Sequence, residues 1–247
     1  MAEFYDASDW PEQEYYNTGG TRNKSVLQNP ADESLYYFKT SLKKPGRDYK
    51  YEFWSEIIAS EVGNLLGFNV LTYDIAYNGT DLGCISKLMI KLGEEVLVGG
   101  HKYLTGHDPS YDPFNPEHKT RYTFQFIREA LGKYGIKNDI KNIIKIIIFD
   151  SIIGNGDRHQ ENWSFIEKYI KLKPKLPSGI ASMLKLEVKV TVVMEMGFSP
   201  IYDSGSCLAR EIADDKILPL LYDIDTAIAT SRWGGPAKHS LLMALNK

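Results

Sequence analysis

Residues 154–162 read GNGDRHQEN and follow directly on residues 139–153, which are apolar on almost every face of a helix. A helix that is apolar all round is typical of a protein core, so we expect 139–153 to be a buried helix. The polar segment then leaves the core as a loop, and it carries Asp157 and Asn162 five residues apart. Such side chains next to a core helix are candidates for chemistry.

A second polar segment, residues 201–209, carries Asp203 in the order Tyr-Asp-Ser-Gly-Ser. Phosphoryl transfer from ATP requires a carboxylate that orients the attacking hydroxyl, oxygen ligands for Mg²⁺, a lysine and a glycine loop that covers the phosphates. Asp and Asn supply the hard oxygen ligands that Mg²⁺ prefers. The sequence therefore predicts these roles for Asp157, Asn162, Asp203, Lys39 and the loop 18–24.

The composition excludes several classes of protein. The chain has 247 residues, of which 43% are hydrophobic and 25% charged, as in an ordinary folded domain. Its formal net charge of −3 lacks the basic excess of a generic duplex-binding protein, so no nucleic-acid partner is predicted. Two distant cysteines exclude a disulfide framework and make a zinc site an unfavourable interpretation.

No segment is long and apolar enough for a membrane span, and the acidic N-terminus does not resemble a secretory signal. We therefore expect a cytoplasmic protein. Secretion without a cleaved signal would leave the same sequence pattern.

Periodicity and turn residues predict a sheet with one helix in the first part of the chain. Residues 25–27 and 35–40 are predicted to form a hairpin, residues 51–66 a helix, and residues 70–77 and 82–90 two further strands. The dipeptide Asn78-Gly79 between the last two strands is a strong hairpin signal.

The second part of the chain is predicted to be mainly helical. Its expected elements are an irregular region over 93–120, a helix over 122–131, a short strand over 163–166, an exposed lysine-rich loop over 168–182 and a β-rich segment over 184–194.

These motifs, in this order, resemble the HipA-like serine/threonine kinases, including the smaller CtkA-like members. The order Asp-Arg-His-x-x-Asn at 157–162 also occurs in phosphoinositide-kinase-like enzymes. The N-terminal segment 19–25, with Asn23 in place of the family's proline, is similar to the family's Gly-Gly-x-Arg-Pro-Lys loop. The resemblance runs from about residue 18 to residue 209.

The resemblance implies an α+β, two-lobed protein-kinase-like fold. A small antiparallel-sheet N-lobe would span 17–92, and a mainly helical C-lobe would span 93–247. Mg²⁺ and ATP are the implied cofactors.

The resemblance also implies a role for each matching residue. Asp157 would be the catalytic base, Asn162 and Asp203 would bind Mg²⁺, and Lys39 would bind the ATP phosphates. Glu52 would hold Lys39, with Glu56 one turn later as the competing choice. Further ATP contacts would come from Gly19, Gly20, Thr21, Lys24, Met89 and His159.

The activity implied is an ATP- and Mg²⁺-dependent serine/threonine protein kinase that acts on a protein partner and on itself. Two alternatives stay open: a lipid or small-molecule kinase with the same catalytic parts, and a kinase-fold signalling or binding protein. Each residue also has a plain structural explanation, because Asp and Gly favour turns and a strand lysine is usually exposed.

Overall fold

The computed structural model describes residues 1–13, 24–41, 43–44, 47–48, 52–172 and 191–208. The strands in chain order are β1 (Phe4–Asp6), β2 (Lys24–Gln28), β3 (Leu35–Thr40), β4 (Lys43–Lys44), β5 (Arg47–Asp48), β6 (Asp74–Tyr77), β7 (Leu82–Lys87), β8 (Glu95–Gly99), β9 (Ser164–Leu172) and β10 (Thr191–Phe198). The α-helices are α1 (Glu52–Leu65), α2 (Gly100–His107), α3 (Phe124–Lys133) and α4 (Ile140–Ile153).

The first sheet contains five strands in the order β1-β6-β7-β3-β2. All of its pairs are antiparallel except β1 with β6. The hairpin β2–β3 and the hairpin β6–β7 confirm two sequence predictions. In the second hairpin the side chain of Asn78 accepts hydrogen bonds from the backbone N–H groups of Thr80 and Asp81, and Gly79 has a φ of 90°.

The N-terminal residues 1–13, for which the sequence suggested no role, complete this sheet. β1 pairs with β6 at one edge, whereas Glu12 bridges to Leu27 of β2 at the opposite edge. The segment between them therefore crosses one face of the sheet. Ala7 is buried there, and the rings of Trp10 and Tyr36 lie 5.2 Å apart.

Helix α1 covers the opposite face. Its Phe53 and Ile57 are buried together with Cys84 of β7 and with Tyr73. The prediction of a helix over 51–66 is confirmed. Because the N-terminal segment covers one face of this sheet and α1 covers the other, the centre of the sheet is a packed interior. Side chains of a strand alternate between the two faces, so the strand fixes the direction in which Lys39 points.

The prediction of an irregular region over 93–120 is wrong. β8 and α2 lie in this region, and a 3₁₀ helix spans Pro116–Arg121. β8 forms because it pairs with the distant β9, which no local pattern reveals. At the start of α2 the chain passes so close to a ring that a Cβ on Gly100 would lie 2.2 Å from Trp163.

The largest core cluster lies between the helices and the second sheet, whose strand order is β10-β9-β8. β9 is longer than the predicted strand and takes over the start of the predicted loop 168–182. The remainder of that loop and residues 184–190 lie outside the described residues.

Helix α4 departs from the prediction in one respect. Ile143, Ile146 and Phe149 are buried as expected, but Ile148 is 46% exposed and Ile152 is 50% exposed. The helix therefore buries one face only, although its sequence is apolar nearly all round.

No helix in the described part of the chain is long and apolar enough to cross a membrane. The boundary between lobes at residues 92 and 93 stays a prediction.

Candidate active site

Lys39 lies on β3, and only 6% of the residue is exposed. In the sheet it is paired with Cys84, on the face that α1 covers. Its ammonium group contacts the carboxylate of Glu56 and lies 2.8 Å from Oδ1 of Asp203. The plain structural explanation, an exposed strand lysine, is therefore wrong, and Lys39 takes part in buried ion pairs that join β3, α1 and the segment after β10.

The partner of Lys39 on α1 is Glu56, which corrects the choice of Glu52. Both carboxylates are buried and lie one helical turn apart on the same face. Spacing in the sequence cannot distinguish them, because either can face β3. The height at which α1 packs on the sheet brings the second turn, not the first, to the ammonium group of Lys39.

Glu56 also holds the segment around Asp203. Its Oε2 accepts a hydrogen bond of 2.7 Å from the backbone N–H of Ser204. Asp203 itself has a φ of 57°, in the left-handed region that is uncommon for residues other than glycine and that Asp adopts more often than most. Thus the backbone at Asp203 is turned sharply while the next N–H group is fixed by α1.

The loop after α4 begins at Gly154, whose φ of 66° ends the helix. Asp157 is exposed, and its backbone N–H donates to the side chain of Asn155 at 3.3 Å. The side-chain amide nitrogen of Asn162 donates to the carbonyl oxygen of Asp157 at 2.9 Å. The two residues five apart in the sequence are therefore joined directly at the mouth of the loop.

The atoms at this site suit Mg²⁺. Because the amide nitrogen of Asn162 is bound to Asp157, its Oδ1 is the side-chain atom left to act as a metal ligand. Asp203 adds a carboxylate whose side chain is 24% exposed. Among the described residues no three His, Cys, Asp or Glu side chains cluster as a metal site. A cation here would be held by Oδ1 of Asn162 and the carboxylate of Asp203 and completed by phosphate and water, as Mg²⁺ is in nucleotide sites.

Arg158 contacts several segments of the chain at once, a role that no sequence pattern predicted. Its guanidinium is buried and binds both carboxylate oxygens of Asp150 on α4, at 2.9 Å each. Asp150 also accepts from the amide of Asn155 at 2.9 Å. Burial by itself lowers the pKa of Arg158, but the charge and hydrogen bonds of Asp150 outweigh it and leave the pKa raised. The one carboxylate of α4, on a helix whose residues are mostly apolar, is the sequence signal that could have indicated this pair.

The other predicted ATP contacts fall in several places. His159 is partly exposed, and its Nδ1 accepts from the N–H of Glu161 within the loop. Met89 lies half-buried just after β7, and Lys24 begins β2 directly opposite Lys39. Gly19, Gly20 and Thr21 lie outside the described residues.

Comparison with solved structures shows a kinase-like fold. The chain is similar to the crystal structure of a Helicobacter pylori proinflammatory kinase, CtkA, with a TM-score of 0.64 and 19% sequence identity. The similarity covers 90% of this chain and 68% of that one. No protein-family model matches the sequence, and no curated relative is found.

Proposed function

We propose that this protein is an ATP- and Mg²⁺-dependent serine/threonine protein kinase of the HipA-like type. The observation that carries the proposal is the position of Lys39, a buried strand lysine in contact with Glu56 and with Asp203. A lysine, a helix carboxylate and a metal-binding carboxylate in this arrangement are the parts that kinases use to hold ATP phosphates.

The flanks of the glycine-containing segment support the same proposal. Gln13 donates from its backbone N–H to the carbonyl of Val26 at 2.8 Å, and Gln28 donates to the carbonyl of Pro11 at 3.0 Å. Residues 14–23 therefore connect two backbone segments that pair antiparallel. Since Lys24 is opposite Lys39, the connection returns to the sheet beside the proposed phosphate site.

In the proposed reaction the acceptor hydroxyl oxygen forms a bond to the γ-phosphorus of ATP, and the bond from that phosphorus to the β–γ bridging oxygen breaks. ADP leaves, and the hydroxyl proton passes to the exposed carboxylate of Asp157. Lys39 neutralises phosphate oxygens. Asn162 and Asp203 would hold the cation, which would supply further neutralisation of phosphate charge. Most of the acceleration comes from positioning and charge.

The proposal is tested by incubating the pure protein with Mg²⁺ and ATP and locating phosphate on its own serines and threonines by mass spectrometry. We expect Asp157→Asn to abolish transfer and to leave nucleotide binding intact. Asp9→Asn serves as the matched control, because Asp9 is exposed and lies outside the site. The wild type and the control should label equally.

Two further substrate arms separate the alternatives. A generic protein substrate is labelled if the acceptor is a protein, whereas label on a phosphoinositide panel alone would replace the proposal with a lipid kinase. No nucleotide binding and no transfer in any arm would leave a kinase-fold binding protein.

A further inference from the structure

Arg158 contacts both segments that carry the proposed metal ligands. Its Nη1 donates to the carbonyl oxygen of Asn162 at 2.8 Å and also to the carbonyl oxygen of Tyr202. Its Nη2 lies 3.3 Å from the hydroxyl of Ser204. One guanidinium therefore contacts the backbone of one proposed ligand and the residues on both sides of the other, Asp203.

We propose that Arg158, held in place by Asp150, is a positioning residue that fixes the separation of Asn162 and Asp203 and thereby sets the affinity of the site for Mg²⁺. The inference rests on the proposed function, because it concerns the cation that accompanies ATP. Arg158 itself touches neither the cation nor the nucleotide in this account.

The geometry of the guanidinium suits it to this task. Its planar fork binds Asp150 through Nε and Nη2, which uses one edge of the group. Nη1 then points at the two carbonyl oxygens of Asn162 and Tyr202. A lysine has one compact charge on a flexible stem and cannot make these contacts together, so the arrangement depends on arginine.

Burial makes the contacts strict. Arg158 is 8% exposed and Asp150 is 1% exposed, so water cannot replace a lost partner. The segment around Asp203 is also held from the opposite side, where Glu56 accepts from the N–H of Ser204. The position of Asp203 relative to Asn162 is thus limited from two sides, by the side chain of Arg158 on one and by the side chain of Glu56 on the other.

Mg²⁺ is the cation most sensitive to such positioning. It requires near-octahedral ligands at about 2.0–2.1 Å, whereas Ca²⁺ accepts irregular geometry at about 2.3–2.6 Å. Residues that orient metal ligands typically change metal affinity by about 10–100-fold when they are lost. Loosening the separation of Asn162 and Asp203 should therefore weaken Mg²⁺ more than Ca²⁺.

The experiment measures binding rather than turnover, with a fluorescent ATP analogue titrated at increasing Mg²⁺ or Ca²⁺ in the full chain. Arg158→Lys keeps a positive charge beside Asp150 and removes the fork. We expect the half-saturating Mg²⁺ concentration to rise at least about tenfold, and the corresponding Ca²⁺ concentration to rise clearly less. Arg121→Lys is the matched control, since Arg121 pairs with Asp108 away from the site.

A second variant separates positioning from stability. Asp150→Leu combined with Arg158→Met removes both charges of the buried pair together and so leaves no uncompensated charge. This variant should lose less stability than Asp150→Ala, which leaves the charge of Arg158 without its partner, and it should still show the selective loss for Mg²⁺. Wild-type Mg²⁺ and Ca²⁺ dependence in the folded variants would overturn the positioning role and leave the kinase proposal standing. Absence of Mg²⁺-dependent nucleotide binding in the wild type would instead overturn both.

Discussion

Among the residues that the structure describes, two buried cationic side chains, Lys39 and Arg158, contact carboxylates in different ways. The side chain of Lys39 is 8% exposed, but its partner Asp203 is 24% exposed. The side chains of Arg158 and its partner Asp150 are 7% and 1% exposed. The cluster around Lys39 thus has a solvent-facing side, whereas the pair on α4 is closed.

Under the proposed function, Lys39 exchanges partners when a nucleotide binds, whereas Arg158 keeps its partners and holds structure. Lys39 places a compact charge between two carboxylates, and an ATP phosphate can take a share of that charge from the exposed side. Arg158 spreads its charge over one carboxylate and several neutral oxygens, all within the protein. We expect loss of the closed pair, Asp150 with Arg158, to cost more stability. Loss of the open cluster around Lys39 should cost more nucleotide affinity.

The largest effect on stability is expected for Asp150→Ala. Removing one partner of a buried ion pair leaves an uncompensated charge, which costs about 3–5 kcal/mol of unfolding free energy. Urea unfolding measures the loss. Asp108→Ala is the matched control, because the Asp108–Arg121 pair is about one-third exposed and should contribute less than about 1 kcal/mol. Equal losses in both variants would contradict the contrast between open and closed pairs.

A smaller loss of stability is expected for Lys39→Met, about 1–3 kcal/mol. Asp203 keeps access to water, and the fully buried Glu56 keeps its hydrogen bond from the N–H of Ser204, so a single carboxylate oxygen, Oε1 of Glu56, loses its partner. Phosphoryl transfer should fall by at least about 10²-fold, because a charge that faces the phosphates is lost. Denaturant titration measures the unfolding free energy, and incubation with labelled ATP measures the transfer. A destabilisation as large as that of Asp150→Ala would show that Lys39 behaves as a closed ion pair, like Arg158 with Asp150.

The turn that joins α4 to the loop is expected to tolerate a side chain poorly. Gly154→Ala forces a Cβ onto a residue with a φ of 66° and should cost about 1–2 kcal/mol. Gly132→Ala is a control of opposite sign, since Gly132 lies inside α3 with open space around it and alanine favours helices. Thermal melts of the two variants should shift in opposite directions.

High pH should lower the unfolding free energy through two buried thiols close to Glu56. Burial, followed by the charge of Glu56, raises the pKa of Cys207 to about 12 and raises the pKa of Cys84 above its usual range. An unfolded chain loses these thiol protons above about pH 8.5. The folded protein retains them, so the unfolding free energy should fall by on the order of 1 kcal/mol for each thiol as pH rises from 8 to 9.5.

Unfolding curves across this pH range test the expectation. Both thiols should also resist a thiol reagent until the protein unfolds, because both are buried. A stability that rises with pH, or rapid labelling of the folded protein, would contradict the burial of this region.

The smallest effect is expected for His159→Ala. His159 bonds within its own loop and its side chain is 40% exposed, so the unfolding free energy should change by less than about 0.5 kcal/mol. Transfer should stay within about tenfold of the wild type. A loss comparable to that of Asp157→Asn would give His159 a direct part in catalysis.

The sequence alone predicted the elements whose signals are local. The helix over 51–66 followed from apolar spacing, and the hairpin at Asn78-Gly79 followed from turn chemistry. The types of residue in the candidate site were also visible, since carboxylates and amides beside an apolar helix stand out. These signals lie within a few residues of one another, and so a linear pattern can carry them.

Tertiary structure alone decided which of these residues meet. Lys39 and Asp203 are 164 positions apart, and no periodicity relates them. The choice of Glu56 over Glu52 depends on the position at which α1 packs along the sheet. Strand β8 exists only because β9 lies beside it. Asp150 and Arg158 are close in sequence, yet the oxygens that Arg158 joins come from Asn162 and the distant Tyr202. Packing and backbone pairing set these distances, because they depend on the whole folded chain rather than on neighbouring residues.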